Sequence, residues 1–127
     1  MPWTARHTPA LGVIETTLSG NVPPAELRAA AQAGADASLL TGCTLHLCDA
    51  RAVTGGHTIF DLFALVDGLH DLGLPRGGHQ ALLPPPGDAA RRDAAFWETT
   101  CRNRGFDVRV FDTRAAALAW LAQLGTV

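Results

Sequence analysis

The sequence predicts one α/β domain over residues 1–127, with a mixed sheet of about five strands and about four helices in the order ββαβαβαβα. Three observations carry this reading. From residue 20 onward, short apolar or β-branched runs alternate with longer stretches of helical periodicity. Successive β–α units of that kind favour right-handed crossovers and a largely parallel sheet. The chain is 127 residues long with 47% hydrophobic content, and a domain of this size buries roughly two thirds of its unfolded surface.

The elements follow in order. Residues 3–8 and 12–18 read as two early strands, the second rich in β-branched Val13, Ile14, Thr16 and Thr17, with Pro9 and Gly12 at the turn. Pro23 and Pro24 open the first helix, where a missing N–H is tolerated. Leu27, Ala30, Ala31, Gly34, Ala37 and Ser38 give that helix a small face able to lie close to a sheet. Residues 44–49 form the third strand; Thr44, His46 and Cys48 point one way, Leu45, Leu47 and Asp49 the other. Both faces carry buriable groups, as in a central strand covered on both sides.

Residues 58–72 form the second helix, with Ile59, Leu62, Phe63, Val66 and Leu69 as its main stripe. Phe60, Ala64 and Leu65 extend the apolar surface beyond one stripe, so the helix is deeply buried or covered by a second subunit or a ligand. Phe60, Leu65 and Leu72 are the positions assigned to an exposed apolar surface. Pro84-Pro85-Pro86-Gly87 separates a fourth strand, 79–83, from a third helix capped by Asp88, with Phe96, Trp97, Thr100 and Cys101 inward. Gly105 ends that helix, Phe106, Val108 and Val110 alternate as the fifth strand, and Asp112 caps a last helix facing inward with Ala117, Trp120, Leu121 and Leu124.

Composition narrows the function classes. The net charge is −2 and all ten basic side chains are arginine, without clustering, so a nucleic-acid partner is not expected. Three cysteines exclude a full disulfide framework and favour the cytoplasm. The first residues lack the apolar core of a signal peptide, and no run of about twenty apolar residues predicts a membrane span.

The outlet of the third strand, Asp49 to Thr58, is the expected working region, because open α/β sheets place sites at the carboxyl ends of central strands. Asp49 either accepts loop N–H groups or pairs with Arg51. Gly55-Gly56-His57-Thr58 at a helix start resembles an anion site, but the glycine and lysine patterns of nucleotide loops are missing, so no cofactor is expected. His57 with Asp49 lacks a nucleophile to complete a triad. Cys43-x-x-His46-x-Cys48 lacks the second ligand pair a zinc site needs, so no metal is expected; the plain reading is a core cysteine and a histidine hydrogen-bonded at its edge. Neither Cys48, in a strand, nor Cys101, on an apolar helix face, has an obvious activating positive partner, and a buried thiol is usually inert, so a nucleophilic role is not expected.

The run Phe96-Trp97 to Asn103-Arg104-Gly105-Phe106-Asp107-Val108-Arg109-Val110-Phe111-Asp112, followed by Ala116-Ala117-Leu118-Ala119-Trp120-Leu121, resembles the C-terminal end of SpoIIAA-like proteins. These are STAS-like domains, also described as STAS/SEC14-like. Leu18-Ser19-Gly20-Asn21 and Leu47-Cys48-Asp49-Ala50-Arg51 match in order, so the resemblance covers nearly the whole chain. It implies a non-catalytic binding or regulatory module acting through protein–protein contacts, with a homodimer or other protein partner. In such antagonists a serine at the start of the helix after the third strand is phosphorylated. The Asp-Ser-Ser-Gly motif is absent here; Thr58 is the nearest hydroxyl at that spacing and Thr54 the next. The lipid-carrying relatives imply an alternative, a small apolar ligand held between helix 58–72 and the sheet. The candidate surface therefore comprises Asp49, Arg51, Thr54, His57, Thr58 and Phe60.

Overall fold

The structure is a computed structural model and describes residues 1–74 and 77–125. The expected order is observed: β1 (Trp3–Thr8), β2 (Val13–Asn21), α1 (Pro24–Thr41), β3 (Leu45–Gly55), α2 (Ile59–Gly68), β4 (His79–Leu83), α3 (Asp88–Arg102), β5 (Asp107–Val110) and α4 (Arg114–Gly125). The five-stranded sheet runs β1-β2-β3-β4-β5. β1 and β2 pair antiparallel; every later pair is parallel. No helix among the described residues is long and apolar enough to cross a membrane.

This topology explains where the helices go. From β2 to β5 the sheet grows in one direction, and right-handed crossovers then put α1, α2 and α3 on the same face. α4 follows the last strand and is free of that rule. It covers the opposite face, where Ala117 and Leu121 are buried with Val13, Leu47, Ala81 and Leu83. α1 packs on β1 and β2, and α3 packs on β5. α2 rests chiefly on α3, and also touches α1, so it bridges the two above the middle of the sheet.

Several local expectations need correction. β3 does not end at Asp49 but runs on to Gly55, with Ser19, Gly20 and Asn21 of β2 pairing alongside it. Most of the supposed loop from Asp49 to Thr58 is therefore strand. The second helix is shorter than 58–72: α2 stops at Gly68 and a 3₁₀ turn occupies His70–Leu72. Asp88 does not cap α3; it is the first helical residue, Gly87 is the cap position, and no side chain caps there. Asp112 does not cap α4 either. Thr113 does, accepting the Ala116 N–H at 3.1 Å, while Asp112 bonds Arg91. Of the three positions assigned to an apolar surface, only Phe60 is exposed. Leu72 is buried with Val66 and Leu69, and Leu65 is half-buried between two core clusters.

Candidate functional site

Beneath α2 lies a cavity of about 550 Å³. Its floor is the face of the sheet carrying Thr16 and Leu18 of β2, His46, Cys48 and Ala50 of β3, and Gln80 and Leu82 of β4. The opening exists because the surrounding side chains are small. α1 presents Ala30, Ala31 and Gly34, α3 presents Ala90 and Ala94, and β3 contributes Cys48 and Ala50. α1 and α3 flank the middle of the sheet on this one face, and Leu62 and Leu65 of α2, with Leu69 just past its end, form an apolar roof. Volumes of this size accommodate a drug-sized molecule.

Among the polar side chains of the lining, two stand side by side on the floor. His46 and Gln80 are register partners in the parallel β3–β4 pair, so their Cα atoms stand about one strand spacing apart, roughly 4.8 Å. Both line the cavity. Trp97 of α3 donates its indole N–H to Gln80 Oε1 at 2.8 Å. An indole nitrogen only donates, so the amide oxygen faces Trp97. The Gln80 –NH₂ group has no partner among the described residues.

His46 also makes no hydrogen bond among the described residues. The expected edge hydrogen bond is thus not made. Burial disfavours the charged ring and pushes its pKa from 6.5 down to about 4. At neutral pH the ring is uncharged, with one nitrogen donating and the other accepting. Gly34 of α1 lies over it: a Cβ there would stand 3.9 Å from Cε1 and Nδ1 of the ring. The small face of α1, legible from sequence, is what leaves this imidazole uncovered.

The Cys43, His46 and Cys48 set is divided. His46 and Cys48 line the cavity, whereas the Cys43 thiol donates to Gly12 O at 3.3 Å. Among the described residues no group of three histidine, cysteine or acidic side chains is placed to hold a metal ion. Burial pushes the Cys48 and Cys101 thiols up to about 12; the Asp49 carboxylate adds to the effect at Cys48, while Arg104 opposes it at Cys101. Both are poor thiolates at neutral pH.

The strand-outlet candidates are distributed over different surfaces. Asp49 Oδ1 accepts from the Arg51 backbone N–H at 3.1 Å and from Nε at 3.0 Å, and Oδ2 accepts from an Arg51 terminal nitrogen at 2.8 Å. Hydrogen bonding from the Arg51 side chain, first among several causes, holds the Asp49 carboxyl below its usual range. Asp49 lies on the α4 face, where Arg114 adds to this effect, and so turns away from the cavity. Thr54 and His57 line the cavity at the carboxyl ends of the strands. His57 donates from Nδ1 to the Val22 carbonyl at 2.9 Å, and the Val22 N–H donates to Gly55 O at 2.8 Å. The β3–α2 connection is thereby clamped to the chain entering α1. His57 and Asp49 do not meet.

Thr58 is the N-cap of α2. Its hydroxyl and the Asp61 carboxylate make a reciprocal capping box, with Thr58 N–H donating to Asp61 Oδ2 at 2.8 Å and Asp61 N–H donating to Thr58 Oγ1 at 3.3 Å. On the outer side of α2, Phe60 is 80% exposed and Phe63 47%. Arg104 stacks over the Phe63 ring at 5.3 Å from its centroid.

Gln80 and Trp97 were not legible as site residues. Trp97 shows the helical spacing of a core residue, and Gln80 is a single polar residue in a five-residue strand. The parallel register that sets Gln80 beside His46 carries no local signal in the sequence. No protein-family model matches this chain, and no curated protein matches it either.

Proposed function

We propose that this protein is a non-catalytic binding module of STAS-like architecture that holds a small apolar molecule between α2 and the sheet. The observation that carries this reading is the cavity of about 550 Å³ roofed by Leu62, Leu65 and Leu69. The apolar side chains lining a cleft of this size lack packing partners on its open side, and a ligand filling it supplies them. The unactivated thiols and the separation of His57 from Asp49 support binding over chemistry. Three free cysteines agree with a cytoplasmic setting.

Native mass spectrometry of protein purified without denaturation tests the reading. An adduct of a few hundred daltons, or uptake of the neutral apolar dye Nile red with one-to-one stoichiometry, is the expected result. Bare protein that also takes up no dye would sink it.

A second reading is supported by Phe60, 80% exposed at the start of α2, with Ile59 and Phe63 beside it. This outer face of α2 suits a homodimer or a protein partner. Phe60→Asp should leave the fold intact, within about 0.5 kcal/mol as for other exposed positions, and abolish self-association seen by sedimentation. Unchanged association would remove this surface from consideration.

A further inference from the structure

We propose that the cavity selects a neutral amphiphile, an apolar body carrying one hydrogen-bonding oxygen such as an alcohol or a ketone, and that His46 and Gln80 together hold that oxygen. This rests on the ligand-binding reading above and names the ligand class.

The argument starts from what the two side chains leave unmade. Buried polar groups are nearly always hydrogen-bonded, and each exception calls for an explanation. His46 and Gln80 are half-buried rather than sealed from solvent, yet they sit side by side on one sheet face with unused donors and an acceptor turned to a cavity otherwise walled there by Leu62, Leu65, Leu82, Ala30 and Ala31. The Gln80 amide is held in one orientation by Trp97, so its –NH₂ donors are committed to the side away from the indole. The neutral imidazole adds one donor and one acceptor. A ketone oxygen can accept from both side chains. A hydroxyl can accept from Gln80 and donate to the acceptor nitrogen of His46.

Charge argues for neutrality in the ligand. No arginine lines the cavity among the described residues, and the chain has no lysine. The acidic side chains that do line it, Asp88 and Asp93 on the first turns of α3 and Asp107 at the start of β5, are of the wrong sign for a carboxylate or phosphate. His46 offers an anion no opposite charge, because burial keeps its ring neutral. An ion pair made there would have to overcome the desolvation of both partners.

The test is calorimetric titration of the wild type, His46→Leu and Gln80→Met with three compounds sharing one body: butylbenzene, 4-phenylbutan-1-ol and 4-phenylbutanoate at pH 7. The expected result is that the alcohol-to-hydrocarbon affinity ratio falls roughly tenfold in each variant, while the hydrocarbon's own affinity stays within about twofold. The carboxylate should bind the wild type at least about tenfold more weakly than the alcohol. Unchanged ratios in both variants, or a carboxylate that binds tightest, would overturn the proposal and leave the apolar cavity as a binding site. If neither the hydrocarbon nor the alcohol binds the wild type, the ligand-binding reading itself fails. The wild-type comparison of alcohol with carboxylate stands even if a variant does not fold.

Discussion

Trp97 and Gln80 are joined by a 2.8 Å hydrogen bond from indole to amide oxygen, and that bond decides which end of the amide meets the cavity. Without the indole donor, rotation about the last Gln80 bond would exchange oxygen for –NH₂ at little cost.

Replacing Trp97 with Phe keeps an aromatic ring in the cluster with Ala94, Leu82 and Cys48 but removes the donor. The half-buried Gln80 oxygen then loses its protein partner, which costs about 0.5–1.5 kcal/mol, the net worth of one hydrogen bond. Chemical denaturation should show that loss with an unchanged m-value. A loss below about 0.3 kcal/mol would mean that the bond does not hold the amide against solvent.

Acid should destabilise the protein in a defined window. His46 has a folded pKa of about 4 against an ordinary 6.5, so the unfolded chain binds the proton more readily and stability falls as pH drops. The His46 contribution is fully present above pH 6.5, declines between 6.5 and 4, and is lost below 4, amounting to about 3 kcal/mol. Asp49, held below 3.8 first by hydrogen bonding from the Arg51 side chain, gives up its contribution only at lower pH, as the pH falls through its folded value. Stability measured from pH 7.5 to 4.5 in the wild type and in His46→Leu separates the two. The variant should show a shallower fall over that range, and parallel curves would refute the assignment to His46.

The three thiols should behave unequally. Cys48 and Cys101 are buried with pKa values raised to about 12, whereas Cys43 is half-buried at the chain surface. A disulfide reagent at pH 8 should therefore modify Cys43 alone in the native protein and all three cysteines after denaturation. Fast native labelling of Cys48 would show that the cavity admits the reagent to the sheet.

The order of strands and helices was legible because each carries a local mark: β-branched runs, the Pro23-Pro24 start, and the glycines that end helices. The division of faces at Thr44, His46 and Cys48 against Leu45, Leu47 and Asp49 was also legible, because it follows from strand alternation. Errors arose where two local signals compete. Asp88 and Asp112 both have the right chemistry for a cap. Gly87 takes the position before α3 with φ at +108°, and Thr113 lies one residue nearer α4. β3 is longer than its sequence suggests because Asp49 and Arg51 have the chemistry of loop residues, whereas here they bond each other within a continuing strand. The cavity was anticipated only as a place beneath the second helix. Its cause, small residues on three separate elements facing one another, is a property of the assembled layers that no single segment displays.

Gly56 closes the strand-outlet end of the structure and offers the sharpest steric test. Its φ is +106°, in the region that side chains rarely adopt, and a Cβ there would lie 2.6 Å from Val22 N and 2.7 Å from Val22 C. Those are backbone atoms, and they cannot rotate aside. They also belong to the residue whose N–H is taken by Gly55 O and whose carbonyl accepts from His57. Gly56→Ala must therefore push the β3–α2 connection away from Val22 and strain both bonds, at a cost on the order of 2–4 kcal/mol. Gly34→Ala is the matched control. That residue is helical, its added methyl meets only ordinary contacts at 3.9 Å, and alanine favours a helix interior by about 0.5–1 kcal/mol. Thermal unfolding of the two variants should move in opposite directions, Gly56→Ala downward and Gly34→Ala upward. A neutral Gly56→Ala would show that the β3–α2 connection is not seated on Val22, and the clamp assigned to His57 would fall with it.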